Sequence, residues 1–132
     1  MQTHLPFPDF SLTAACLDNE RLGKQRVEAL AIYKILREGR EENNPAIKMW
    51  RGYQGALAWY HNTMLSVWKH RGFVTNAEML TLGFPVIFPP WIGNKELHRS
   101  HQSNLLRKDE THYRLWFGTT VPKNLDLYWP VR

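Results

Sequence analysis

The sequence is poor in cysteine: Cys16 is the only one among 132 residues. One thiol cannot form an intrachain disulfide, and no second cysteine is present to build a thiolate zinc site. Uninterrupted apolar runs are only a few residues long, far below the ~20 residues that a membrane-spanning helix needs. The first ten residues, MQTHLPFPDF, also lack the basic and apolar regions of a secretory signal. We therefore expect a cytoplasmic protein that is not embedded in a membrane.

Several catalytic motifs are missing as well. The chain has no P-loop, no dinucleotide-binding glycine fingerprint and no HExxH sequence, which argues against nucleotide hydrolases and zinc proteases. His98 and His101 stand one helical turn apart, but no Asp, Glu or Cys completes a metal-ligand set at a familiar spacing. We expect neither a metal nor a cofactor.

Positive charge and aromatic residues are abundant. Lys and Arg total 17 against 12 Asp and Glu, which gives a net charge of +5 and favours polyanionic partners. The hydrophobic fraction of 43% is enough for a folded core. The length favours one compact domain that spans residues 1–132.

Hydrophobic periodicity predicts an all-α fold with two long helices, several shorter helices and an aromatic, irregular C-terminal tail. Asp9 or Ser11 begins a short helix that runs to about Leu17. Asp18 is the predicted N-cap of the first long helix, which ends at Gly39.

The second half of the chain is less regular in pattern. A second long helix is predicted from residues 44–45 to residue 70, with a kink at residues 50–55, where Gly52 and Gly55 interrupt the apolar stripe. A short helix capped by Thr75 or Asn76 is predicted to end near residue 83, before a proline-rich irregular connection. Asn94 then caps another helix, and residues 112–132 are expected to pack as extended chain.

A first cluster of charged residues lies early in the first long helix. On a 3.6-residue period Arg21, Lys24 and Glu28 share one face, whereas Arg26 falls on the apolar stripe. One interpretation is a surface pair between Lys24 and Glu28, with Arg26 snorkelling to solvent. The other is a phosphate and lesion site, because cations near a helix N-terminus oppose the macrodipole and favour a bound anion.

Two further groups of residues suit nucleic acid. His98, Arg99, His101, Arg107 and Lys108 accompany short polar side chains on one helix and are predicted to contact backbone phosphates, although the two imidazoles could simply face solvent. In the other group, cations flank an aromatic ring that is more often core than a base-stacking surface. This group consists of Lys48, Trp50 and Arg51.

Three segments together resemble the bacterial branch of the phage pyrimidine-dimer DNA glycosylase and endonuclease V family. They read LDNERLGKQRVEAL, NPAIKMWRGY and HRSHQSNLLRKDETHY, and their order and spacing match over nearly the whole chain. The resemblance implies a single all-α domain that binds duplex DNA, flips a nucleotide and cleaves a glycosidic bond. It also implies that the abasic site is then nicked through an imine.

The resemblance also assigns roles to single positions. The family's nucleophile is the α-amine of a small second residue, whereas residue 2 here is Gln2, so we expect Met1 to be retained. The family's catalytic Glu falls on Gly23, and its active-site His falls on Cys16. Arg26 matches a family arginine that contacts DNA, and residues 107–108 fall in the family's basic C-terminal helix.

The residues present suggest a mechanism. Arg26 and Arg107 would hold phosphates, while Glu28 or Asp18 would stabilise the oxocarbenium charge or position water. The amine is that of Met1 or of Lys24, since like charges beside a lysine favour its nucleophilic form. The catalytic candidates are therefore Met1, Asp18, Lys24 and Glu28, and the DNA-binding candidates are Arg21, Arg26, Lys48, Arg51, His98, Arg99, His101, Arg107 and Lys108.

The leading hypothesis is a monomeric DNA repair glycosylase that acts on damaged double-stranded DNA. The first alternative is a non-catalytic DNA-binding domain that retains the fold and the basic face. The second is an enzyme that acts on another modified base or on RNA. Base release from damaged duplex distinguishes the first hypothesis from salt-sensitive binding without product.

Overall fold

The computed structural model describes residues 1–40 and 43–131 and is helical, with no strand among these residues. This confirms the prediction of an all-α fold. The helices are α1 (Phe10–Cys16), α2 (Asn19–Arg37), α3 (Pro45–Lys48), α4 (Gln54–His70), α5 (Lys95–Lys108) and α6 (Glu110–Phe117). None of the described helices is long and apolar enough to cross a membrane.

Short polar side chains begin most of these helices, as local sequence predicts. Asp9 caps α1, Asn44 caps α3, Asn94 caps α5 and Asp109 caps α6, each by accepting a hydrogen bond from a backbone N–H of the first turn. Asp18 precedes α2 but does not cap it, because its carboxylate accepts from other side chains.

The core forms mainly where α2 packs along α4, with α1 against α4 and α5 against α6. Trp50 is fully buried and contacts Trp91 edge-on at 5.0 Å, which confirms the core interpretation of this ring. Its indole N–H donates to Thr3 Oγ1 at 3.0 Å. The first residues of the chain are thus tied to the centre of the fold, and we call residues 1–6 the N-terminal segment.

The predicted second long helix is divided in two. The chain leaves the helical conformation after α3 and resumes it at Gln54, because Gly52 adopts a φ of +86°, which a helix does not allow. Gly52 therefore lies in a break between two separate helices rather than at a kink within one helix.

Two predictions of local structure are wrong. No helix forms over residues 75–83, because the Asn62 side chain bonds both the N–H and the carbonyl of Leu80, at 2.8 and 2.9 Å, and holds that stretch extended. The expected extended tail begins instead with α6, in which Tyr113 and Phe117 stack one turn apart. From Gly118 to Val131 the tail is irregular, as predicted, and the last residue of the predicted tail, Arg132, lies outside the described residues.

Candidate active site

An open cleft of about 280 Å³ lies between the N-terminal segment, α2 and the end of α5. α2 presents one face of its first three turns to this cleft, as the 3.6-residue period predicts. The lining residues are Met1, Gln2, His4, Arg21, Lys24, Gln25, Glu28 and Lys108.

Three of the four predicted catalytic residues meet in the cleft. Met1 is half-exposed, and the backbone N–H of Gln2 donates to Glu28 Oε2 at 3.3 Å. The Glu28 carboxylate therefore binds the residue that directly follows the amine of Met1. Lys24 lies on the same face of α2, but its ammonium donates to Glu20 Oε1 at 3.1 Å on the exposed surface. Glu20 thus offsets the cationic surroundings expected for Lys24.

The charge around the cleft is mainly positive. Arg21, Lys24 and Lys108 line it together with the amine of Met1, and Glu28 is the single carboxylate among the lining residues. A rim of cations around one carboxylate suits a polyanion whose reacting atom is itself uncharged. Arg21 and Lys108, both predicted to contact DNA, line the cleft, where they could bind a phosphate.

His4 forms an uncharged part of the cleft wall. Burial, followed by the neighbouring His101, Lys108 and Arg21, lowers its pKa to about 3. The imidazole is therefore neutral at physiological pH and adds no charge to the cleft.

Asp18, the fourth catalytic candidate, does not line the cleft. Its carboxylate accepts a hydrogen bond from the Tyr113 hydroxyl and pairs with Arg21 at 3.0 Å. Partial burial raises the pKa of Asp18, but these two partners outweigh burial and hold the pKa below its ordinary value. Asp18 thus orients Arg21 toward the cleft, and the geometry favours Glu28 as the reacting carboxylate.

Arg26 points away from the cleft, toward α4. Its guanidinium lies 4.8 Å from the centre of the Trp68 ring, which stacks in turn on Phe73 at 4.0 Å. A Cβ atom at Gly23 would lie 2.9 Å from two atoms of the same indole. The space beside Gly23 is therefore occupied by Trp68, and Glu28 is the carboxylate that lines this cleft.

The structure places His98 and His101, which were predicted to contact DNA, in the interior of the protein. Their side chains are 6% and 0% exposed, and both bind the backbone of Leu5. Leu5 N–H donates to His101 Nδ1 at 2.9 Å, while His98 Nδ1 lies 2.7 Å from the Leu5 carbonyl oxygen. Because Gly93 N–H donates to His98 Nε2, the proton of His98 is on Nδ1 and is donated to Leu5. Both imidazoles hold the N-terminal segment instead of a phosphate.

Arg107 also has an internal role that the sequence did not suggest. It donates to the carbonyl oxygens of Lys123 and Leu125, at 2.7 and 3.0 Å, and so fastens the C-terminal tail to α5. Ser100 and Ser103 also hold the tail, but as acceptors of hydrogen bonds from its backbone N–H groups. The remaining DNA-binding candidates, Lys48, Arg51 and Arg99, do not line the cleft.

Cys16 is fully buried, and burial raises the pKa of its thiol to about 12. It is therefore a packing residue rather than a nucleophile. No group of three His, Cys, Asp or Glu side chains within residues 1–40 and 43–131 is placed to hold a metal ion.

Sequence reasoning missed three residues of the cleft: Gln2, His4 and Gln25. Gln2 and His4 lie in an extended segment that carries no periodic pattern, so no sequence signal placed them beside α2. Gln25 does share a helix with the predicted residues, but a neutral amide gave no reason to single it out.

Comparison with known proteins identifies the family of the chain. No curated protein and no solved structure matches the chain. The model of one family, described as pyrimidine dimer DNA glycosylase, matches residues 1–81. The matched part contains Met1, Arg21, Lys24 and Glu28, whereas Lys108 lies outside it. The chain therefore belongs to the pyrimidine dimer DNA glycosylase family, whose members are enzymes that act on DNA.

Proposed function

We propose that this protein removes a damaged pyrimidine from duplex DNA, with the amine of Met1 as nucleophile and Glu28 as the assisting carboxylate. The observation that carries the proposal is the cleft itself, in which Met1 and Glu28 lie together beneath a rim of cations. Membership of a DNA glycosylase family supports the substrate class. A flipped nucleotide in this cleft would bring its C1′ atom to the amine.

The reaction begins when the lone pair of the amine attacks C1′. The N-glycosidic bond breaks, its electron pair leaves with the base, and the base takes up a proton from water. Positive charge develops on the sugar at this stage, and the neighbouring Glu28 carboxylate stabilises it. The attacking nitrogen, which is now a secondary ammonium, gives up one proton, its electron pair opens the C1′–O4′ bond, and O4′ takes up a proton, which leaves a protonated imine between the nitrogen and C1′.

Strand cleavage would follow from the same intermediate. Glu28 removes a proton from C2′, the electron pair shifts toward the imine, and the bond from C3′ to its phosphate oxygen breaks. One carboxylate can serve both steps because it is first an electrostatic partner of the sugar and afterwards a base.

Met1 is the stronger candidate for the amine. Glu28 is hydrogen-bonded to the backbone of Gln2, next to the Met1 amine, whereas the Lys24 ammonium is paired with Glu20 on the exposed side. Arg21, Lys24 and Lys108 then serve as phosphate-binding residues on the rim. Among the outlying cations, Arg26, Lys48, Arg51 and Arg99 extend the proposed DNA contact.

The test is borohydride trapping on ultraviolet-irradiated duplex DNA, followed by peptide mapping of the covalent adduct. Borohydride reduces a protonated imine to a stable amine, so the mapped residue identifies the nucleophile. We expect the adduct on Met1, and we expect it to persist in Lys24→Ala and in the control variant Lys34→Ala. An adduct on Lys24 would reassign the amine. Salt-sensitive binding with neither an adduct nor base release would contradict the proposal and favour the non-catalytic domain.

A further inference from the structure

The N-terminal segment is held by side chains from three helices. Gln25 and Glu28 of α2, Tyr60 of α4, and residues of α5 bind the backbone of residues 2–6. From α5 the contributors are His98, His101 and Gln102. The backbone N–H and C=O groups of an extended chain cannot bond to one another and are usually paired with a neighbouring strand. In this segment, side chains of the helices bind these groups instead.

Gln25 stands at the centre of this arrangement and is almost fully buried. Its Oε1 accepts from the backbone N–H of His4 at 2.8 Å and from the Tyr60 hydroxyl at 2.6 Å. Its Nε2 donates to the carbonyl oxygen of Gln2 at 3.0 Å and to Glu28 Oε2 at 3.2 Å. A primary amide has two donors and two acceptor positions, so Gln25 uses its full capacity.

The four bonds connect the two parts of the proposed chemistry. The oxygen and one N–H of the amide fix the backbone on both sides of Thr3, and therefore the direction in which Met1 enters the cleft. The other donor holds Glu28 Oε2, the same oxygen that accepts from Gln2 N–H. Gln25 thereby sets the separation between the amine and the carboxylate.

We propose that Gln25 is the positioning residue of this active site, which orients the Glu28 carboxylate and the N-terminal amine toward each other. The inference rests on the proposed function, because it assigns Gln25 a role in the same amine chemistry. In this role Gln25 acts through Glu28 and the N-terminal segment rather than on the sugar or the base.

Tyr60 fixes the orientation of the amide. Its hydroxyl also lies 2.7 Å from the His4 carbonyl oxygen, so its proton is shared between that oxygen and Gln25 Oε1. Burial raises the pKa of Tyr60 well above its ordinary value, so the hydroxyl keeps this proton. A hydroxyl that donates selects the oxygen of Gln25 and leaves the nitrogen facing Glu28.

The substitution Gln25→Glu isolates this role because it replaces the amide nitrogen and its two donors by a carboxylate oxygen without changing the size of the side chain. The new carboxylate faces Glu28 Oε2 across the 3.2 Å that the amide now spans. Two carboxylates at this distance repel each other when both are ionised, so at low pH they share one proton, and the shared proton restores the hydrogen bond. Raising the pH removes that proton and drives the two groups apart.

The experiment measures the rate of borohydride-trapped adduct formation on duplex DNA that already contains an abasic site, from pH 5 to pH 9. We expect Gln25→Glu to approach the wild-type rate at the acid end and to fall about 100-fold below it at the alkaline end. The dissociation constant for the same DNA should be unchanged, since Gln25 contacts no phosphate-binding residue of the rim.

Gln102→Glu is the matched control. Gln102 also binds the N-terminal segment, through the Pro6 carbonyl oxygen at 2.8 Å, but it has no contact with Glu28. Its rate relative to wild type should therefore not depend on pH. If Gln25→Glu does not fold, Gln25→Met serves instead, with an expected loss of rate at every pH and unchanged DNA binding.

The outcomes separate the two proposals. If the wild-type protein forms no adduct on the abasic site, the proposed function fails. If the wild type reacts and Gln25→Glu follows it at a constant ratio from pH 5 to pH 9, the positioning role is overturned. Wild-type activity in Gln25→Met would overturn it as well.

Discussion

The N-terminal segment and the loop over residues 73–88 are both extended chain, yet the segment is bound along its length by other side chains and the loop is bound at few points. In the N-terminal segment, backbone groups of residues 2, 4, 5 and 6 are bound by side chains of α2, α4 and α5. The loop is fastened at Leu80 and leaves Val74, Phe84 and Ile87 largely in solvent. Irregular structure is thus held firmly where it carries a reactive group.

Removing the charge of Glu28 should have the largest effect on activity. Glu28→Gln keeps an oxygen that can accept from Gln2 and Gln25 but loses the negative charge beside the sugar, so we expect trapped adduct to form at least 100-fold more slowly. Binding to DNA should not weaken. Glu38→Gln, a change of the same type in an exposed ion pair at the end of α2, should react like wild type.

The burial of His4 and His101 should make stability depend on pH. Both pKa values are lowered from 6.5 to about 3, chiefly by burial, so between these pH values the unfolded chain binds protons that the folded protein does not. The free energy of unfolding should therefore have its full value above pH 6.5 and should decrease as the pH drops toward 3. Urea denaturation across this range checks the prediction, and His4→Gln should make the dependence shallower.

His101→Ala tests the anchor of the segment directly. It leaves the buried N–H of Leu5 without its acceptor, which should lower the free energy of unfolding by about 2–3 kcal/mol. His70→Ala, at the exposed end of α4, should cost less than about 1 kcal/mol. Equal losses in urea denaturation would show that the segment is not held through His101.

Arg21 should affect binding rather than folding. Arg21→Gln should reduce the slope of log affinity against log salt by about one unit, because one fewer phosphate is neutralised. Arg37→Gln, at the far end of α2 and outside the cleft, is the control and should leave the slope unchanged. Titration of abasic duplex at several salt concentrations measures both.

The smallest effect is expected in the loop. Val74 is 97% exposed, so Val74→Ser should change the free energy of unfolding by less than about 0.5 kcal/mol and should leave adduct formation unaltered. A loss of stability comparable to that of His101→Ala would show that the loop packs against the protein in solution.

Features that depend on neighbouring residues could be predicted from the sequence. Asp9, Asn44 and Asn94 cap helices through backbone groups two or three residues away, and they were identified correctly. The shared face of Lys24 and Glu28 follows from helical periodicity alone, and it is the face that lines the cleft.

Features that depend on distant partners could not be predicted. The role of His101 could not be predicted because nothing near it in sequence reveals that its partner is Leu5, 96 residues earlier. The helix expected over residues 75–83 fails for a related reason, since Asn62 of α4 binds the backbone there. Nothing near Gly23 in the sequence reveals that the Trp68 ring fills the space beside it.

The bonds between Leu5 and α5 also set an order of events during synthesis. Leu5 leaves the ribosome early, but the imidazoles that hold it, His98 and His101, are made more than 90 residues later. Such a non-local contact forms slowly and only after the intervening chain has closed into a loop. A nascent chain that ends before α5 therefore lacks these two anchors of the N-terminal segment, and the cleft, which Lys108 also lines, is complete only after α5 has been translated.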